Sequence, residues 1–189
     1  MNRLEDYRRA QDVFDAVLAA VPLAKWDAPS MCAAWSLRDV AGHLIWGQEQ
    51  LRHWAIGRHY ACLDGAPGAL HPGLMAAAEP LQTFRRVRTS AVESLTTEAL
   101  GRSVRLPGLG DTPLLALIPL LITDHLAHAW DIALALGLDV RLDTDLISVS
   151  LAWARNHILR APGFFGPELS PGPEADEQTR WLAYLGRAA

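Results

Sequence analysis

A nearly continuous apolar stretch from Leu114 to Leu136 constrains the fold of this 189-residue chain more than any other feature. Its length would suffice to span a membrane. However, the stretch contains Pro119, Asp124 and Asp131 together with two histidines, and each acid at the bilayer centre would cost several kcal/mol. We therefore predict a helix that is buried on most sides in a helical bundle, with its polar side chains facing a partner and no membrane association.

Composition and charge exclude several classes of protein. Half of the residues are apolar and 20% are charged, which predicts one compact domain over residues 1–189. The net charge of −4 and the lack of a long basic run exclude a nucleic-acid-binding surface. Cys32 and Cys62 form no C-x-x-C pair, so we expect two inert loop thiols. The N-terminus lacks a secretory signal pattern, which predicts a cytoplasmic protein.

Helical periodicity runs through almost the whole sequence. It predicts helices over residues 4–20, 37–58, 80–100, from Thr112 or Pro113 to Gly137, and 143–160, followed by a short helix that carries Trp181, Leu182 and Leu185. Ser36 and Asp39 have the spacing of a helix-capping box. The segment 103–106 can pair as part of a short hairpin. The predicted fold is an all-α, up-and-down four-helix bundle with short extra helices.

Two helix faces direct histidine and aspartate side chains toward the expected core. On the second helix His43 lies in the apolar stripe, and on the fourth helix Asp124, His128 and Asp131 share one face. A buried carboxylate needs a compensating charge, and a carboxylate and an imidazole one turn apart can bind the same ion. The pattern therefore predicts a divalent metal bound by His43, Asp124 and His128, with a coordination position left open for reaction.

Simpler interpretations of these residues stay open at the level of sequence. A single histidine on an apolar face usually hydrogen-bonds to a backbone carbonyl, and Asp124 with His128 could form a buried ion pair. Trp46 and Trp130 lie close in sequence to candidate ligands and could form pocket walls or pack in the core. Trp35 is predicted to be a core residue.

Three segments of the chain resemble a known family. They are W-S-L-R-D-V-A-G-H-L from Trp35, D-H-L-A-H-A-W-D from Asp124, and W-L-A-Y-L-G-R ending at Arg187. In order and spacing they resemble the DinB-like metal-binding proteins of actinobacteria, which are related to mycothiol-dependent maleylpyruvate isomerase. The resemblance covers nearly the whole chain. It implies a four-helix DinB-like bundle that corresponds to the metal-binding N-terminal domain of that isomerase.

The resemblance also implies roles for individual residues. In that family the histidine of the first segment, and an acid and a histidine four residues apart in the second, bind a divalent metal that is usually zinc. Carried over, these are His43, Asp124 and His128. The family's acid is commonly glutamate, so the shorter Asp124 leaves His125 as an alternative donor. Asp131 matches a family aspartate and is expected to orient a ligand imidazole.

The function implied by the resemblance is that of a metal-dependent enzyme of small-molecule metabolism, acting as a mycothiol-dependent S-transferase or isomerase. A thiol beside the metal would lose its proton near neutral pH and add to an electrophilic carbon of a small substrate. One alternative is a thiol-independent Lewis-acid isomerase, cyclase or hydrolase in natural-product biosynthesis. Another is a non-catalytic metal-binding stress protein. For the assembly of the chain, a homodimer is expected.

An anionic or carboxylate-bearing thiol cofactor and an electrophilic substrate would need a cationic partner near the metal. Because Phe84 and Val87 define the buried stripe of the third helix, Arg88 is the best inward candidate, and Arg85 flanks it. The alternative is that both arginines are solvated surface groups.

Overall fold

The computed structural model describes residues 2–106 and 110–188. Within these ranges the helices are α1 (Arg3–Ala19), α2 (Leu37–Ala55), α3 (Pro80–Ser94), α4 (Thr97–Gly101), α5 (Leu114–Leu136), α6 (Thr144–His157) and α7 (Glu177–Tyr184). Two short antiparallel strands, β1 (Ser103–Leu106) and β2 (Gly110–Pro113), pair with Val104 opposite Thr112. The predicted all-α fold with a small hairpin is confirmed, and residues 107–109 lie outside the described residues.

The apolar stretch forms α5, which is buried along most of its length as predicted. Gly137 ends the helix in the left-handed conformation, with φ +70°, which glycine adopts without strain. α1 and α6 pack against α5, and α2 also contacts it. In the described ranges, none of the helices combines the length and the apolar character that crossing a membrane requires.

Four helices, α1, α2, α3 and α5, form the bundle. α1 packs against α5 and α3, and α2 packs against α3 and α5. Phe14 of α1 and Phe84 of α3 meet edge to face in one apolar cluster, with ring centroids 5.0 Å apart. A second cluster joins α1 and α5 to α6 and α7, where the Trp181 Nε1–H donates to Ser150 Oγ at 2.7 Å. The helices that carry the candidate ligands, α2 and α5, are therefore fixed by packing.

Some helix boundaries differ from the sequence prediction. The predicted helix over 80–100 is two helices, because α3 ends at Ser94 and Thr96 caps α4 by accepting a hydrogen bond from the Ala99 N–H. α2 ends at Ala55 rather than at residue 58, since Gly57 has φ +69° and leaves the helical conformation. The predicted helix over 143–160 ends earlier, at His157, which is the last residue of α6.

Candidate metal centre

His43 is positioned by the start of α2 and by the loop that follows this helix. Ser36 and Asp39 form the predicted capping box, in which each side chain accepts a hydrogen bond from the other residue's backbone N–H. One turn later, His43 Nδ1 lies 2.7 Å from the Gly65 carbonyl oxygen. Gly65 packs so closely on α2 that a Cβ there would lie 2.2 Å from the Cβ of Trp46. Because a carbonyl only accepts, Nδ1 carries the proton and Nε2 is left facing α5.

Asp124 and His128 lie one turn apart on α5 and face His43. Asp124 Oδ2 is 3.5 Å from His43 Nε2, and Asp124 Oδ1 is 3.5 Å from His128 Nε2. The ligating atoms of the three residues all lie within 4.8 Å of one another. Both imidazoles are buried, whereas the Asp124 side chain is 23% exposed. The carboxylate therefore marks the side from which a ligand can approach.

Hydrogen bonds on the far side of each imidazole decide which nitrogen faces Asp124. His128 Nδ1 lies 2.9 Å from Asp131 Oδ2, and a carboxylate only accepts, so we assign the proton to Nδ1. The bond from His43 to Gly65 fixes the other ring in the same way. In the neutral rings, two Nε2 lone pairs and one carboxylate point at each other. Such a cluster of acceptors needs a cation, which is either a proton on an imidazole or a metal ion.

The charges of the cluster shift the pKa values of Asp124 and His43 in opposite directions. Burial alone would raise the pKa of Asp124, but the imidazoles of His43 and His128 outweigh it and hold this pKa well below its usual value. Burial alone would lower the pKa of His43, but the Asp124 carboxylate outweighs it and raises this pKa. A proton on His43 therefore competes with a metal for Asp124 as the pH falls.

A second group of side chains lies behind His128. Arg187 donates to both oxygens of Asp131, from Nε to Oδ1 at 2.9 Å and from Nη2 to Oδ2 at 2.8 Å. Cys32 Sγ lies 3.1 Å from Asp131 Oδ2 and 3.5 Å from His128 Nδ1. Burial opposes ionisation of Asp131, but Arg187 outweighs it and lowers the pKa of this carboxyl. Asp131 is thus an ionised carboxylate placed to orient His128.

Cys32 and Trp35 are two site residues that sequence reasoning missed. Cys32 is expected from the sequence to be an inert loop thiol, but it contacts both His128 and Asp131. Burial and the Asp131 charge raise the pKa of this thiol, which keeps it protonated. Trp35 is half-buried, with its ring centroid 5.1 Å from that of His43 and 6.3 Å from that of His128. It lies beside the two imidazoles and therefore belongs to the site as well as to the core.

His125 is not an alternative ligand in this arrangement. Its Nδ1 lies 2.7 Å from the Leu121 carbonyl oxygen, and its Nε2 lies 2.8 Å from Gln48 Nε2. Its ring packs edge to face against Tyr7 and Phe14 in the bundle core. Burial lowers the pKa of His125 to about 4, so it is a neutral core histidine. Adjacent helix positions point about 100° apart, which is why His125 faces α1 while Asp124 faces His43.

Arg85 and Arg88 do not enter the candidate metal centre, which corrects the prediction of an inward arginine. Arg85 donates to both oxygens of Asp15 at 2.8 Å, and Arg88 donates to Asp12 Oδ1 at 2.6 Å. Both carboxylates lie on α1, which is the neighbour of α3 on this side of the bundle. The arginines therefore cross the helix interface at the surface. The cationic side chain that does reach the centre is Arg187.

The two predicted tryptophan walls have different surroundings. Trp46 is half-buried and nearly parallel to the His43 ring, with centroids 6.3 Å apart, and its Nε1–H donates to the Cys62 carbonyl at 2.7 Å. Trp130 is buried in the apolar cluster that joins α5 to α6 and α7. Packing accounts for Trp130, while Trp46 flanks the candidate ligand His43.

Comparison with known proteins assigns the chain to a family. Residues 7–133 match the family described as the mycothiol maleylpyruvate isomerase N-terminal domain. The chain belongs to this family. The matched range contains His43, Asp124, His128 and Asp131, whereas Arg187 lies beyond it.

The chain is also similar to two curated proteins of Mycobacterium tuberculosis, one from strain H37Rv and one from strain CDC 1551. Each is 34% identical over 193 residues, which covers 99% of this chain and 98% of the relative. Both relatives carry the name "uncharacterized protein". No solved structure matches the chain.

Proposed function

We propose that this member of the mycothiol maleylpyruvate isomerase N-terminal domain family is a metal-dependent enzyme of small-molecule metabolism. His43, Asp124 and His128 would hold a divalent metal, most simply zinc. The observation that carries the proposal is the convergence of two imidazole lone pairs on a half-buried carboxylate. Because three acceptors cannot hydrogen-bond to each other, the arrangement is suited to a shared cation.

The spacing between Asp124 and each of the two histidines is close to that of zinc ligands. Zinc-to-ligand distances of about 2.0–2.2 Å in a tetrahedron place neighbouring ligand atoms about 3.4 Å apart. The two separations between histidine nitrogen and aspartate oxygen are both 3.5 Å, from His43 to Oδ2 and from His128 to Oδ1 of Asp124. The shorter aspartate therefore reaches both imidazoles where the family commonly has glutamate. Two nitrogens and one carboxylate oxygen are one of the donor sets of catalytic zinc sites, which keep a further position open.

The residues around the donors support a reactive site. When bound, a divalent metal would lower the pKa of a thiol or water beside it and polarise a substrate carbonyl. The Gly65 carbonyl and the Asp131 carboxylate orient the two imidazoles. Trp35, whose Nε1–H donates to the Ala69 carbonyl at 2.9 Å, lies beside both rings and forms a wall of the proposed site.

The family supports a thiol as the second reactant, and we propose that it is mycothiol, used in the cytoplasm. The substrate class is a small electrophile with a cis double bond conjugated to a carbonyl group. Reversible addition of the thiol sulfur to that bond permits rotation, and elimination then returns the thiol with the trans product. Without elimination the same addition is an S-transfer.

The first experiment measures metal content and thiol dependence. Protein purified without chelators should hold about one zinc per chain. Turnover of maleylpyruvate is then compared with mycothiol, with a second thiol and with none. We expect turnover that requires mycothiol, stops on chelation and returns with zinc. Turnover without thiol that stops on chelation would favour the Lewis-acid alternative, and bound zinc without any turnover would favour the non-catalytic metal-binding stress protein. Failure to bind any metal would contradict the proposal.

A further inference from the structure

The Asp131 carboxylate is shared by donors from three separate parts of the chain. His128 Nδ1–H comes from α5 itself, Arg187 comes from the C-terminal segment, and the Cys32 thiol comes from the loop between α1 and α2. All three lie within 3.1 Å of Oδ2. The other cysteine, Cys62, instead contacts Met75 Sδ at 3.7 Å.

We infer that Cys32 is a positioning residue for the metal centre, in which its S–H donates to Asp131 and holds that carboxylate against His128. The inference rests on the proposed metal site. It adds a residue that does not touch the metal position, since His128 Nε2 faces Asp124 while its Nδ1 faces Asp131 and Cys32.

A third donor on Asp131 matters because of where Arg187 binds. Arg187 donates to both oxygens of Asp131, whereas His128 and Cys32 each contact Oδ2 alone. A rotation of the carboxylate toward the guanidinium would draw Oδ2 away from His128 Nδ1. An imidazole that loses this acceptor loses its fixed orientation and its fixed tautomer, and both determine how well Nε2 binds a metal. The thiol, on the same oxygen, opposes the rotation.

The loop around Cys32 connects this contact to the wall of the site. Ser30 Oγ accepts from the Cys32 N–H at 3.1 Å and donates to the Trp35 carbonyl at 2.8 Å. Cys32 and Trp35 are therefore held as one unit. The contact between Cys32 and Asp131 ties this unit, with the indole that covers His43, to α5.

The test compares Cys32→Ala, which removes the donor, with Cys32→Ser, which keeps an O–H donor at nearly the same place. Cys62→Ala is the matched control, because Cys62 is also a half-buried loop cysteine. For each protein we would measure the Kd for zinc by competition with a chromophoric chelator and the melting temperature of the metal-free form. The visible spectrum of the cobalt-loaded protein reports ligand geometry as a further readout.

We expect Cys32→Ala to bind zinc about tenfold more weakly, at the lower end of the effect of outer-sphere partners. Its metal-free melting temperature should match that of Cys62→Ala, and its cobalt spectrum should change. Cys32→Ser should recover most of the affinity and the wild-type spectrum. Wild-type affinity in Cys32→Ala, or equal weakness in Cys32→Ser, would overturn the inference while leaving the proposed function intact. Failure of the wild type to bind metal would overturn both.

Discussion

His43 Nε2 lies 3.5 Å from Asp124 Oδ2, although the two residues belong to different helices. This separation is too long for a strong hydrogen bond and matches two ligands of one ion. Both residues lie on packed helices, α2 and α5, rather than on loops. Ligands on rigid elements keep their geometry when a substrate enters, which favours a reactive centre at this place.

Asp124→Asn removes the negative charge between the two imidazoles and nearly preserves side-chain volume. We expect zinc affinity to fall by more than the roughly 10–100-fold loss that outer-sphere partners typically cause. Competition titration with a chelator measures the change. Asp111→Asn, which affects only the hairpin ion pair with Arg105, is the control and should bind zinc like the wild type. Equal affinities for Asp124→Asn and Asp111→Asn would contradict the ligand assignment.

Arg88→Ala should leave zinc affinity and thiol-dependent turnover unchanged. The Arg88 guanidinium pairs with Asp12 on α1, whose side chain is 66% exposed. Exposed ion pairs contribute at most about 1 kcal/mol, so the free energy of unfolding should fall by less than that. Steady-state kinetics and urea unfolding measure the two quantities. A strong loss of turnover at unchanged stability would show that Arg88 serves the substrate after all.

Helical spacing in the sequence predicts the parts of the site that lie on helices. His43, Asp124 and His128 fall on inward stripes, so the apolar periodicity alone predicts that they meet in one core. The same pattern cannot fix the rotation of a helix to within one residue. His125 and Asp124 are neighbours in sequence, yet one faces Gln48 and the other faces His43.

The residues that the sequence could not place lie outside regular helix faces. Cys32 is in a loop held by Ser30, and its contact with Asp131 depends on how that loop folds back on α5. Arg187 follows α7, and its path to Asp131 depends on the packing of the whole C-terminal segment. The prediction that Arg88 points inward failed for the same reason, because its acidic partner on α1 comes from another part of the chain.

The pKa of Asp39 makes the capping box sensitive to acid. Burial would raise this pKa, but hydrogen bonds from Ser36 and from the Gly73 N–H outweigh it and lower the pKa below its usual value. A carboxyl whose pKa is lower in the folded state stabilises the fold above its unfolded pKa of about 4 and loses that contribution as the pH falls through the folded pKa.

Asp39→Ala should therefore cost about 1 kcal/mol at pH 7, and the difference from wild type should shrink as the pH falls below about 5. Urea unfolding at several pH values measures this difference in the free energy of unfolding. Thr96→Ala removes a cap without a titrating group, so its penalty should stay constant over that range. A pH-independent penalty for Asp39→Ala would contradict the assigned hydrogen bonds.

Arg187→Ala should both destabilise the fold and weaken the metal centre. The Asp131 side chain is 2% exposed, and removal of Arg187 leaves its charge without a cationic partner. Removing one partner of a buried ion pair lowers the free energy of unfolding by about 3–5 kcal/mol. Arg187→Lys keeps the charge but cannot donate to both oxygens in a fork, so we expect an intermediate loss.

A double-mutant cycle separates the ion pair from general damage to the C-terminal segment. Asp131→Asn removes the charge that Arg187 neutralises, so the double variant Asp131→Asn with Arg187→Ala should lose less stability than the sum of the two single losses. The coupling should lie between about 0.5 and 3 kcal/mol, as for contacting residues. Urea unfolding of the metal-free proteins gives the four free energies. Additive losses would show that Arg187 acts through packing alone, and zinc affinity should then be unaffected by Arg187→Lys.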